Sequence, residues 1–118
     1  MIVATDCGST NIKAAVYTSG GLRLADASRP LPYSIHSNSR VELSPDAVSD
    51  CFRGLLGDLC RSAGISLRDI RKVSFTSQAQ TFTVLDTSGH AQGPFLGWAD
   101  ARATREASEL QEILGAEF

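Results

Sequence analysis

The chain has 118 residues, 42% hydrophobic and 20% charged, with a net charge of −2, which suits one domain with a real core. That balance gives no electrostatic case for nucleic acid or an anionic membrane, and no apolar run is long enough to cross a bilayer. The opening "MIVATD" has no basic segment and no cleavage site, so the expected location is cytoplasmic.

Ile2–Thr5 is a short apolar strand, Ile12–Thr18 a second, and Leu22–Ser28 alternates as a third after a turn at Ser19–Gly21. Residues 29–40, "RPLPYSIHSNSR", carry two prolines and a polar cluster, which predicts a loop without regular structure. A helix follows. Ser44 suits its N-cap, Pro45 its first turn, Asp46 its positive end, and Gly64 its stop. Val48, Phe52, Leu55, Leu56, Leu59 and Ala63 form its apolar face, and Gly54 and Gly57 fall on its back. Cys51 and Cys60 lie nine apart on roughly opposite sides. They read, with Cys7, as reduced thiols rather than metal ligands.

Ile70–Ser77 is the next strand, reached by a crossover. Residues 81–98 predict a hairpin, with a strand over Thr81–Asp86, a turn at Ser88–Gly89 and a return toward Trp98. Residues 99–118 predict a last helix, with Arg102–Glu106 and Arg105–Glu109 as i,i+4 pairs and a buried face of Ala103, Ala107, Leu110 and Leu114. The order β-β-β-α-β gives an α/β fold, a mixed sheet with a helix packed on it.

The tip of the first hairpin, "DCGSTNIK", carries the chemistry. Gly8 allows close backbone approach. Ser9, Thr10 and Asn11 offer amides that can curl around an anion, and Lys13 adds a cation. Asp6 repels phosphate unless a divalent cation lies between them, and Mg²⁺ favours one or two carboxylates with water and phosphate oxygens. The same residues also suit a plain β-turn. Both readings fit the spacing.

The stretch "DCGSTNIKAAVY" resembles the first phosphate motif, D-x-G-[ST]-[ST]-x-x-[KR], of the actin-like ATPase and sugar kinase superfamily. Three later segments resemble the FGGY carbohydrate kinases in order. "SRVELSP" keeps Val41, Glu42 and Pro45 of a G-W-V-E-Q-D-P-like segment. "FTSQAQTFTVLD" keeps Gln78 of a G-Q-M-H-G-like loop. "LGWADARATREASEL" keeps Trp98, Asp100, Arg102 and Glu109 of L-W-x-D-x-R and its helix.

This resemblance implies a ribonuclease-H-like fold with flanking helices, and an ATP- and Mg²⁺-dependent transfer of a phosphoryl group to a sugar or polyol. It implies metal contact at Asp6 and ATP-phosphate contact at Gly8, Ser9, Thr10, Asn11 and Lys13. It implies substrate contact at Gln78, Ala79, Gln80, Trp98, Asp100 and Arg102. Gln78 and Gln80 suit hydroxyls, and Trp98 suits a sugar's apolar face. Trp98 could also be core, and Asp100 and Arg102 could simply cap and pair at the last helix. Glu42, His36 and His90 read as solvated.

The chain departs from the xylulose-type Met-His and the glycerol-type Arg-Glu by carrying Ala79-Gln80, so no sugar is assigned. The family's catalytic aspartate matches no residue here and is expected beyond residue 118. Residues 1–118 therefore read as the N-terminal part of a first domain, with an incomplete sheet and the second domain absent, and the chain alone as inactive. Two rivals remain. One is an ATPase activator of the same superfamily. The other is a non-catalytic module that self-associates through the sheet's open edge.

Overall fold

The computed structural model describes residues 1–115; the last three positions of the expected helix over 99–118 lie outside them. The first three strands follow the predicted meander. Strand β1 (Ile2–Cys7) and strand β2 (Asn11–Tyr17) pair antiparallel, with Asp6 opposite Lys13 and Cys7 opposite Ile12. Strand β3 (Arg23–Pro30) continues the sheet from β2. Burial alternates along β1 and β2, so Val3, Ile12, Ala14 and Val16 face one side. Helix α1 (Pro45–Ala63) covers that side. Its buried Leu55 and Leu59 join the four strand residues in one core, flanked by Phe52, Leu56 and Ala63.

Both ends of α1 are built as the sequence indicates. The Ser44 hydroxyl accepts from the Ala47 amide, Pro45 fills the first turn, and Gly64 closes the helix at φ 65°. A short 3₁₀ turn, Leu67–Asp69, then leads into strand β6 (Lys72–Ser77); sequence periodicity does not reveal so short a turn. Asp69 accepts from the amide and hydroxyl of Ser66, and these bonds hold its carboxyl below the ordinary range. Strand β6 pairs with β1 in parallel, giving the order β3-β2-β1-β6.

Three expectations change here. The stretch 29–40 is not wholly irregular, because Arg29 and Pro30 end β3. Ser34–Ile35 forms strand β4, which pairs with β5 (Val41–Leu43), and β5 pairs in turn with β7 (Phe95–Leu96). This second sheet shields backbone groups that a free loop would leave to water. Residues 81–86 form no continuous strand. Only single bridges, Phe82 to Leu96 and Leu85 to Ala91, hold the expected hairpin. Helix α2 (Thr104–Leu114) exists, but none of its described residues is buried, and Leu110 and Leu114 are exposed. Its amphipathic sequence has found no partner surface among the described residues.

Gly54 also departs from its expected place on the back of α1. The Arg29 side chain crosses the helix there to reach Asp58, with Nε 2.7 Å from Oδ2, and a Cβ at Gly54 would collide with the guanidinium. The Arg29 contact holds the Asp58 carboxyl below its ordinary range. At Gly57 a Cβ would meet nothing within 4 Å. Gly57→Ala is therefore expected to stabilise the fold by about 1 kcal/mol through helix propensity. Gly54→Ala is expected to lose that gain, because the Arg29–Asp58 contact must open. Urea midpoints of the two variants check this, and equal gains would refute the crossing.

Candidate functional site

Strands β1 and β6 run parallel, with Cys7 beside Ser77. The segments that leave them therefore emerge side by side at one end of the sheet. After β1 comes the turn Gly8–Thr10; after β6 comes the loop Gln78–Gln80. The Gln78 amide donates to the Cys7 carbonyl at 3.0 Å and joins the two exits. Ser9, Gln78, Ala79, Gln80 and Trp98 line one open cleft of about 300 Å³. Ser9 and Trp98 also line an adjoining cleft of about 200 Å³ with Thr10, Tyr33, Ile35, Val41 and Ala99. The two groups of residues named for phosphate and for sugar thus meet at Ser9.

The turn is partly spent on itself. The Gly8 amide donates to the Asn11 carbonyl at 3.0 Å, and Asn11 is the first residue of β2. The Ser9 and Thr10 amides meet no protein acceptor among the described residues, and both residues are exposed. These two amides are the donors left for an anion. Gly8 and Asn11 close the turn that presents them.

Asp6 and Lys13 lie elsewhere, on the face of the sheet opposite α1. They are cross-strand partners there, with Thr76 on the other side of Asp6, in a shallow groove of about 350 Å³. No group of three His, Cys, Asp or Glu among the described residues is arranged to hold a metal. A lone carboxylate beside open solvent still fits Mg²⁺, which takes most of its ligands from water and phosphate. Cys7 does not compete as a ligand. Burial first, and the neighbouring Asp6 second, push its thiol pKa up and keep it protonated.

Trp98 is not core. It is 59% exposed, and its backbone amide donates to Thr81 Oγ1 at 3.2 Å. Gly97 just before it sits where a side chain would crowd, because a Cβ there would lie 3.0 Å from Val41 Cγ1 and 3.3 Å from the Tyr33 ring. That close approach lets the Gly97 amide reach the Val41 carbonyl at 2.7 Å, so β5 sets where the indole stands. Gln80 has φ 63°, a left-handed conformation that costs a non-glycine residue energy and re-aims its side chain.

Asp100 and Arg102 make their bonds to protein. Asp100 is 7% exposed and accepts from the Val41 amide at 2.8 Å and from Arg102 Nε at 2.8 Å. Arg102 Nη2 reaches Glu42 Oε1 at 2.6 Å. The Arg102–Glu106 pair expected along α2 is therefore replaced by a contact across the fold. Glu42 is correspondingly no solvated loop acid but 19% exposed and ion-paired. Arg105–Glu109 forms as expected, at 2.8 Å. His36 approaches Glu42 at 3.8 Å, and His90 approaches Asp86 at 3.7 Å; both imidazoles are exposed. Sequence reasoning passed over Tyr33 and Thr81, whose irregular segments give no periodic signal.

The hydrogen bonds from Arg102, above all, hold the Asp100 carboxyl well below its ordinary value of 3.8. A depressed carboxylate contributes stability in full above the unfolded value, and loses it as pH falls through the folded one. Asp100→Asn turns an amide donor or a weaker acceptor toward the Val41 N–H and Arg102. It is expected to lower the urea midpoint at pH 7, with the gap to wild type narrowing below about pH 4. A gap that does not change with pH would refute the charge-dependent tie.

The N-terminal-domain model of the FGGY family of carbohydrate kinases matches residues 1–118. The chain is 28% identical over 112 residues to a glycerol kinase of Citrifermentans bemidjiense, covering 94% of this chain and 23% of that protein. It is 26% identical over 121 residues to the L-fuculokinase of Escherichia coli K12, covering 99% of this chain and 25% of that one. The crystal structure of gluconate kinase from Lactobacillus acidophilus superposes with a TM-score of 0.82 at 22% identity, over 95% of this chain and 22% of that chain. Xylulose kinase from Rhodospirillum rubrum gives 0.80 at 26% identity, over 98% and 24%. The chain thus spans about a quarter of the length of the curated relatives it matches.

Proposed function

The chain belongs to the FGGY family of carbohydrate kinases, and on that premise we propose that it supplies the phosphate turn and part of the sugar cleft of a cytoplasmic, ATP- and Mg²⁺-dependent kinase acting on a sugar or polyol. The observation that carries this reading is the single cleft shared by Ser9, Gln78, Ala79, Gln80 and Trp98. An acceptor hydroxyl and a terminal phosphate must lie within contact distance for transfer, and a cleft bordered by both kinds of residue brings them there.

Each residue then has a task. The free Ser9 and Thr10 amides receive phosphate oxygens, with Gly8 and Asn11 holding the turn in shape. Lys13 offsets the charge that develops on transfer, and Asp6 would hold a Mg²⁺ ion, whose positive charge would offset that of the phosphates. Gln80 and Trp98 meet the sugar, one through its hydroxyls and the other through its C–H face, with Gln78 and Ala79 completing the wall. Asp100 and Arg102 border the sugar subsite through the loop that carries Trp98.

No carboxylate lines either cleft among the described residues. A base that takes the hydroxyl proton must stand within hydrogen-bond reach of it. The 118 residues alone are therefore proposed to lack turnover, the first domain being completed, and the second supplied, in a protein of the relatives' length. A coupled assay of that longer protein against a panel of sugars and polyols is expected to show ATP-dependent phosphorylation. Lys13→Met is expected to lower kcat roughly hundredfold, as loss of one transition-state donor does. Unchanged kcat, or turnover by the 118 residues alone, would count against these roles.

The exposed apolar stripe of α2 and the open edge of β6 favour a second reading, self-association of the 118-residue chain. Sedimentation equilibrium is expected to show a concentration-dependent dimer. A monomer at every concentration tested would reject it.

A further inference from the structure

Gln78 and Gln80 lie two residues apart on one loop, yet their amides meet different surroundings. Gln78 Nε2 donates to the Tyr33 hydroxyl at 2.7 Å. Gln78 Oε1 is buried and has no protein donor. Gln78 also lines a mostly apolar cavity of about 210 Å³ with Cys7, Leu43, Thr81 and Phe95. One amide atom is thus tied and the other is closed to solvent. With the amide turned over, Tyr33 would donate instead, and the same two statements would hold.

Tyr33 is well placed to act as an anchor. Its own amide donates to the Leu31 carbonyl at 3.0 Å. Its ring lies against Gly97, the residue before Trp98. It also lines the cleft that holds Ser9, Thr10 and Trp98. One side chain therefore touches the loop after β6, the residue that sets the indole, and the space beside the phosphate turn.

We propose that the Tyr33–Gln78 hydrogen bond is a positioning device: it fixes the loop so that Gln80, held at φ 63°, is the loop amide that meets the sugar. Gln78 acts through the loop and makes no direct bond to a sugar hydroxyl. This deepens the kinase reading and rests on it. The physical reason is a buried polar group's need for a partner. Without the Tyr33 hydroxyl, the Gln78 amide is unsatisfied on both atoms. The loop then rearranges to hydrate it, and the left-handed turn at Gln80 loses its support.

A double-mutant cycle on Tyr33→Phe and Gln78→Met in the kinase tests this, read as the KM for the sugar or polyol against the KM for ATP. Tyr33→Phe keeps the ring that packs on Gly97, and Gln78→Met keeps the volume. Each variant, and the pair together, is expected to raise the substrate KM by the same factor, roughly tenfold, the size of one hydrogen bond. The KM for ATP and kcat are expected to hold, and in a Gln80→Ala background Tyr33→Phe is expected to add little further loss, because the amide it positions is gone. An unchanged substrate KM in Tyr33→Phe, an equal rise in the KM for ATP, or a pair whose effects multiply would overturn the proposal.

A wild-type protein that phosphorylates no sugar or polyol would overturn the kinase reading instead. The tie itself is read separately, from the side-chain amide resonance of Gln78 and the backbone resonances of Gln80 and Trp98. Tyr33→Phe is expected to shift all three, and unmoved resonances would remove the device whatever the activity.

Discussion

The parallel pairing of β1 with β6 is the constraint on which the rest depends. Parallel neighbours send their chains out at the same end of a sheet, which is where ligands gather in open α/β folds. Here the register sets Cys7 beside Ser77, and a further bond from Gln78 to Cys7 carries the pairing past the strand ends. The turn after β1 and the loop after β6 are separated by nearly seventy residues of sequence and adjoin in space for this reason alone. The crossover that permits parallel pairing is α1, and α1 stays on the sheet because Leu55 and Leu59 bury against Val3, Ile12 and Val16. Core packing thus fixes the site indirectly, through strand direction.

A second, much smaller sheet does the remaining positioning. Strands β4, β5 and β7 together hold few residues, and a sheet so short has little stability of its own. It is reinforced by side chains. Asp100 bonds the Val41 amide, Arg102 joins Asp100 to Glu42, and Gly97 presses against Val41 and Tyr33. All of these contacts converge on β5 and hold Trp98 at the mouth of the cleft. Charged groups that the resemblance offers as substrate contacts do their visible bonding inside the protein. Asp100 bonds Val41 and Arg102, and Arg102 bonds Asp100 and Glu42, so each charge is already paired with two protein residues and has little left for a further hydroxyl.

The amides of the turn after β1 divide the same way. The Gly8 amide bonds the Asn11 carbonyl, and among the described residues the Ser9 and Thr10 amides meet no protein acceptor. A turn needs one closing bond to keep its shape, and the donors outside that bond are the ones an anion can use. Asp6 and Lys13 stand on the open face of the sheet because alternation along β1 and β2 puts every second residue there.

The sequence by itself determined what depends on near neighbours. The meander, the capped α1 with its apolar face, and the polar tip between Asp6 and Lys13 follow from alternation, helical spacing and turn chemistry, all of which act within a few residues. The family resemblance was legible because four short motifs keep their order. Tertiary structure alone decided what depends on distant partners. Arg102 chose Glu42 over Glu106, Gly54 became the passage for Arg29, Tyr33 took hold of Gln78, and the apolar face of α2 stayed exposed. Local pattern shows that a side chain is able to pair or to bury itself. Which partner it meets is settled by strand register and close approach between remote segments, and periodicity carries no record of either.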